Sequence, residues 1–582
     1  MRKQGARIAG VVFLLGLAGC ATRSELPPPV SPRSKDEAKA EQKGMTLPAS
    51  EPSEEADFGV SGGVEGSVVG GLAAAPPPSA AMRVAAVQVP MRQDAGWRYR
   101  GPMSTEGYAR IDEQGFLDPR RDPLSTFSVD VDTASYANVR RFLNQGSLPP
   151  KDAVRIEEFV NYFAYDYPQP KGDRPFAVHT EVGPCPWNAE HRLVLIGLQG
   201  RTIADKDLPP RNLVFLVDVS GSMQAPNKLP LLKSALRLLA DNLTERDSVA
   251  IVVYAGSSGL VLPRTPGDHR GTIRAALDRL EAGGSTNGGA GIELAYAMAQ
   301  EGFADGAVNR VILATDGDFN VGTTDVGSLT RLIEEKRETG IFLSVLGFGE
   351  GNLQDATMES LADRGNGNYA YIDSLQEARK VLVREAGGTL VTIAKDVKLQ
   401  VELNPARVGA YRLIGYENRR LRAEDFADDR KDAGEIGAGH RVTALYEIAP
   451  PGSSTDTGEV APLKYQQESS DDFAAARTSE IMTVNLRYKA PDGDTSRLIS
   501  HVVKETGADG DSLSQRLAFA AAVSEFAMLL RDSEHKGTAS YAQVLDLARR
   551  ARAASADPDR AELVRLVELA QALATPSAAV TK

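Results

Sequence analysis

Asp218-Val219-Ser220-Gly221-Ser222 places a carboxylate and two hydroxyls on one tight stretch, directly after the apolar run Asn212 to Val217. Such donors suit a hard cation: Mg²⁺ takes near-octahedral oxygen ligands and keeps several waters, so one loop can supply part of its shell if distant groups complete it. Two later loops offer those groups. Gly283-Gly-Ser-Thr-Asn287 carries Thr286 ahead of a helical pattern, and Thr315-Asp-Gly-Asp-Phe319 carries Asp316 directly after the apolar run Val311 to Ala314. They lie far from Asp218 along the chain, so only a fold that gathers strand ends could unite them.

The surrounding pattern is of that kind. From Arg211 to near Gly388, apolar runs of strand length alternate with segments of helical spacing, about six βα repeats in all, which predicts a mainly parallel, doubly wound, Rossmann-like sheet covered by helices on both faces. In such a sheet ligands bind outside the carboxyl ends of the strands, where strand order reverses. Ahead of it, residues 101–208 read as a small α+β domain, with a strand at Phe127 to Asp132, helical spacing at Tyr136 to Asn144 and Val154 to Tyr165, and strands at Phe176 to Val182 and Arg192 to Leu198. Behind it, residues 389–582 read as a β-rich and then helical domain.

The remaining segments are of another character. Arg2, Lys3 and Arg7 precede the apolar stretch Ile8 to Leu17, and Leu17-Ala-Gly-Cys20 follows: a charged segment, a short apolar one and a small-residue cleavage site, expected to be a signal peptide over residues 1–19. The cleavage site resembles the lipobox of bacterial lipoproteins. That resemblance implies acylation of Cys20 and attachment to the cell envelope, with Ala21 favouring the outer membrane. Residues 20–100, rich in Pro, Ala, Gly, Ser and Glu, read as a disordered tether.

Charge and cysteine content narrow the classes further. The formal net charge of −12 falls to −15 once residues 1–19, with three cationic and no acidic side chains, are removed. An acidic chain disfavours nucleic-acid backbones and anionic lipid surfaces alike, so the expectation is no nucleic-acid partner and attachment to the membrane by acyl chains alone. With Cys20 acylated, Cys185 has no internal disulfide partner and reads as a packing residue. Six histidines show no metal-ligand spacing.

Asp-x-Ser-x-Ser, a Gly-Gly-Ser-Thr loop and Thr-Asp-Gly, in this order on alternating β and α units, resemble the von Willebrand factor A (VWA) domain and its metal-ion-dependent adhesion site (MIDAS) over residues 209–388. The resemblance implies that Ser220, Ser222 and Thr286 supply hydroxyl ligands, with Asp218 and Asp316 bound directly or through water. It further implies Mg²⁺, or another divalent cation such as Mn²⁺ or Ca²⁺, and a protein partner whose carboxylate completes the shell. Adhesion or scaffolding, without catalysis, is the expected function; a metal-assisted hydrolase and a metal-independent adaptor are the alternatives. Pro123 to Tyr136, Leu148-Pro-Pro150, Ile156 to Phe159 and the region Thr389 to Ala574 resemble the flanking parts of YfbK-like bacterial proteins.

Asp130-Val-Asp132 after an apolar strand resembles the phosphoryl-transfer loop of haloacid-dehalogenase-like enzymes, but Ala134 stands where that family carries Thr or Val and no glycine-rich continuation follows. The pair is therefore read as structural. Asp318 is read as a solvated or helix-capping residue.

Overall fold

The structure is a computed structural model that describes residues 105–284, 288–317, 326–385, 391–431, 433–458, 478–505, 513–552 and 557–575. Cys20, the signal peptide, the tether, Thr286 and Asp318 lie outside these residues.

The N-terminal part contains β1 (Leu124–Ser128), α1 (Ala134–Asn144), α2 (Ile156–Asn161), β2 (Phe176–Pro184) and β3 (Arg192–Gly200). Then come β4 (Arg211–Asp218), α3 (Leu229–Ala240), β5 (Ser248–Tyr254), β6 (Ser258–Pro266), α4 (Arg270–Asp278), α5 (Gly288–Glu301), β7 (Val308–Thr315), α6 (Val326–Glu338), β8 (Phe342–Phe348), α7 (Asp355–Arg364), β9 (Tyr369–Ile372) and α8 (Leu375–Arg379). These strands form one sheet in the order β6-β5-β4-β7-β8-β9, parallel throughout except for β6. The chain passes from β4 to β5 on one side and returns to β7 on the other, so strand order reverses between β4 and β7.

Strand β4 sits at the centre because both of its faces are apolar. Leu213, Phe215 and Val217 pack with Leu232, Leu236 and Leu239 of α3, while Val214 and Leu216 pack with Ile292 and Tyr296 of α5. Each fully buried leucine of this kind contributes about 1.5–3 kcal/mol. The antiparallel edge strand β6 is an addition that the sequence pattern did not suggest, because Gly259 and two prolines interrupt its alternation.

The C-terminal part contains β10 (Thr392–Leu403), β11 (Ala410–Ile414), β12 (Arg420–Leu421), β13 (Ile436–Gly437), β14 (Arg441–Ala449), β15 (Glu480–Lys489), β16 (Ser496–Lys504) and the helices Gln515–Arg531, Tyr541–Arg552 and Pro558–Ala574. Its strands do not close on themselves. One sheet runs β12-β1-β10-β15-β16 with β13 on β10, and another runs β11-β14-β3-β2, so strands from both ends of the chain share each sheet. Their apolar faces enclose Phe127, Val194, Leu399, Tyr411, Val442 and Val484. The helices are shared too: Tyr136, Phe159 and Phe163 pack against Phe519, Phe526 and Leu563.

Two separate flanking domains were expected from the sequence. The described strands instead build one β-sandwich from residues on either side of the central unit. The physical reason is that each segment alone leaves paired-strand edges and an apolar face uncovered. Among the described residues, no helix is long and apolar enough to cross a membrane.

Candidate functional site

The site forms at the carboxyl ends of β4 and β7. Parallel pairing sets Asp218 beside Tyr254 of β5 and Val217 beside Ala314 of β7, which brings Thr315 and Asp316 alongside the serine turn. Asp218 is fully buried; one carboxylate oxygen accepts the Ser220 backbone N–H at 2.8 Å, and the other accepts the hydroxyls of Thr315 at 3.1 Å and Tyr254 at 3.3 Å. Burial raises the Asp218 carboxyl above its ordinary range, with the hydrogen bonds from Ser220 opposing that rise and the nearby Asp316 charge adding to it.

The turn itself aims two hydroxyls at one place. Ser220 Oγ and Ser222 Oγ lie 3.0 Å apart; Ser220 is buried and Ser222 exposed. The glycine turn that precedes Thr286 is tied to it, because Gly221 N–H donates to Gly284 O at 3.1 Å and Gly283 N–H to Val219 O at 2.7 Å. Four of the five expected donors, Asp218, Ser220, Ser222 and Asp316, are thus brought together; Thr286 falls outside the described residues.

Asp316 is also fully buried. Its Oδ2 accepts the Lys228 ammonium at 2.8 Å, and the same ammonium donates to Asn352 Oδ1 at 3.0 Å. Burial opposes ionisation of Asp316, but hydrogen bonds from Lys228, Asn352 and Ser222 outweigh it and hold the carboxyl below its ordinary value. The next residue must be glycine. Gly317 has φ +106°, and a Cβ there would lie 2.7 Å from both Asn352 O and Gln354 N.

The loop that carries Asn352 is itself strapped down by the first described residues. Thr105 N–H donates to Gly351 O at 2.7 Å, Gly107 N–H to Leu353 O at 2.9 Å, and Gly351 N–H to Glu106 Oε1 at 2.8 Å. Sequence reasoning did not single out Lys228, Asn352, Tyr254 or this strap. Thr315 alone carried a signal, as the residue between the apolar strand and Asp316.

The donors brought together are all oxygens. Among the described residues there is no metal-competent cluster of three or more His, Cys, Asp or Glu side chains. Two carboxylates and two hydroxyls are a different kind of set, suited to a hard divalent ion that keeps water in its shell.

Outside this site, Asp132 is committed to structure: it accepts the Tyr369 backbone N–H at 2.8 Å and the Arg419 guanidinium at 3.1 Å. His191 is buried against Glu447 at 2.6 Å, and Glu447 also accepts from Arg412 at 2.7 Å and from Trp187 at 3.1 Å. Cys185 is a buried free thiol whose burial raises it far above its ordinary value, as a packing role requires.

The profile of the von Willebrand factor type A domain matches residues 212–383, a von Willebrand factor profile matches residues 102–195, and the profile of the C-terminal region of the uncharacterized protein YfbK matches residues 388–573. The chain is 45% identical over 476 residues to the uncharacterized protein YfbK of Escherichia coli (strain K12), covering 80% of this chain and 81% of that protein. It is 30% identical over 169 residues to the uncharacterized protein sll0103 of Synechocystis sp., covering 29% of this chain and 39% of that one. Among solved structures it is similar to a von Willebrand factor type A protein from Catenulispora acidiphila, at 18% identity and a TM-score of 0.40, covering 69% of this chain and 91% of that one. With a central VWA unit set into flanking regions of the matching kind, the chain belongs to the YfbK family.

Proposed function

We propose that this protein binds a partner protein through a divalent cation, Mg²⁺ by preference, held by Asp218, Ser220, Ser222, Thr286 and Asp316, with a carboxylate of the partner completing the shell. The observation that supports this reading is the meeting of two buried carboxylates from distant segments with a pair of hydroxyls 3.0 Å apart, one of them exposed, at the reversal point of the sheet. When bound, such an ion supplies an open position for an anionic oxygen. The chain's own residues do the positioning. Thr315 and Tyr254 fix Asp218, Lys228 and Asn352 fix Asp316, and Gly317 lets the third loop approach.

The role is adhesion or scaffolding in the bacterial envelope rather than catalysis, with Cys20 as the lipid anchor, residues 20–100 as the tether and the outer membrane as its place. Capture of envelope proteins by the purified chain, with and without EDTA, tests the binding function. Loss of capture in EDTA, its return with Mg²⁺ and its absence in Asp218→Ala are the expected results; capture indifferent to all three removes the reading. For the anchor, Cys20→Ala is expected to shift the protein from the membrane to the soluble fraction, and an unchanged distribution would rule the anchor out.

A further inference from the structure

Lys228 enters the site from the turn ahead of α3, with only 8% of its side chain exposed. It passes over Gly349, where a Cβ would lie 2.3 Å from Lys228 Cε, and ends between Asp316 at 2.8 Å and Asn352 at 3.0 Å. A buried ammonium gives up its hydration and most of its rotamer freedom, so this placement costs free energy that a mere surface lysine would not. The charge count shows what it changes. Asp218 and Asp316 bring two negative charges, and Lys228 cancels one of them. A divalent ion added to this set leaves one net positive charge; added to the two carboxylates alone, it leaves none.

We propose that Lys228 is a positioning residue of the metal site that holds Asp316 and keeps the bound ion under-neutralised, weakening retention of the ion in exchange for stronger attraction of an acidic group on the partner. The inference rests on the metal-site reading of the proposed function. Its physical basis is direct: ammonium and metal ion repel each other across a buried site of low dielectric, whereas an incoming carboxylate meets the sum of their charges.

Calorimetric titration of the full chain with Mg²⁺ alone tests it, using wild type, Lys228→Gln and Lys228→Met, with thermal unfolding as the check that each variant is folded. Lys228→Gln keeps a hydrogen-bonding end near Asp316 and Asn352, and Lys228→Met removes it. Either folded variant is expected to bind Mg²⁺ at least fivefold more tightly than wild type. A lysine with only a structural role would give the opposite sign, since its loss would loosen Asp316 and weaken the ion. Mg²⁺ binding by wild type with no such tightening in a folded variant overturns the inference and leaves the metal reading standing. Binding by a variant alone, with none in wild type, removes the metal reading for the natural chain and overturns with it the inference that rests on that reading. Absence of Mg²⁺ binding throughout overturns both, and failure of both variants to fold makes Lys228 structural and overturns the inference.

Discussion

Phe127 of β1 lies directly opposite Leu399 of β10 in an antiparallel register that runs from Leu124 facing Glu402 to Ser128 facing Lys398. The pairing joins the segments on either side of the central unit. Residues 105–208 and 391–575 are therefore one folding unit with the VWA domain set into it. A chain consisting of residues 209–582 would lack β1, β2 and β3, leaving β10 and β14 with open edges and the core residues that those strands cover exposed. We expect it to aggregate or to bind hydrophobic dyes; a soluble species that unfolds cooperatively in urea would falsify the shared sandwich.

Arg419 is the common counter-ion of four carboxylates, at 2.6 Å from Asp363, 2.8 Å from Glu359, 3.1 Å from Asp132 and 3.6 Å from Asp130. Burial, with the nearby Asp363 charge, pushes the Asp130 carboxyl up to about 8. Arg419→Met should cost about 3–5 kcal/mol, because buried carboxylates would lose the cation they share. The loss should be larger at pH 8 than at pH 5, where protonation relieves the repulsion. Chemical unfolding at the two pH values checks this, and a loss independent of pH contradicts it.

Glu525 lies fully buried in the helix Gln515–Arg531, where its Oε1 accepts the Ser540 backbone N–H at 3.1 Å and burial pushes its carboxyl up to about 7. A folded-state value above the unfolded one, ~4.3, means the unfolded chain gives up its proton first as pH rises. This group's cost to stability therefore grows from about pH 4 and is complete above about pH 7. Glu525→Gln keeps the acceptor and removes the charge. It should gain up to about 3 kcal/mol at pH 8 and almost nothing at pH 4. An equal gain at both pH values would show that the charge is not the cause.

Gly317 tolerates no side chain, both for its φ of +106° and for its approach to the Asn352–Gln354 backbone. Gly317→Ala should cost roughly 2–3 kcal/mol in urea unfolding and displace Asp316 from the serine turn. The displacement is read as a loss of Mg²⁺-induced thermal stabilisation beyond any change in the metal-free midpoint. A variant that is destabilised yet gains as much from Mg²⁺ as wild type would separate the glycine from the site.

Much of the central unit is legible in the sequence because buried parallel strands such as Val311 to Ala314 must be apolar on both faces, and each is followed by a helical period. The four described donors are legible for a related reason: turns after such strands select a few residue types, so Asp218, Ser220, Ser222 and Asp316 are conspicuous. The sandwich was not legible. Alternation marks Phe127 to Asp132 and Thr389 to Leu403 as strands, where the structure has Leu124–Ser128 and Thr392–Leu403, but carries no information about which strand, hundreds of residues away, completes the ladder. Lys228 was hidden for a different reason. Between Asn227 and the first turn of α3 a lysine reads as solvated, and only its path over Gly349 to Asp316 shows otherwise.

The strap at Thr105–Gly107 bears on the site. Residues 105–107 are hydrogen-bonded to the loop that carries Asn352 and abuts Gly317. The strap's backbone bonds go to Gly351 and Leu353 rather than to either sandwich sheet. The hydrogen bonds of the strap thus lie one loop away from the Lys228–Asp316 pair, so a shift of residues 105–107 would reach that pair through Asn352.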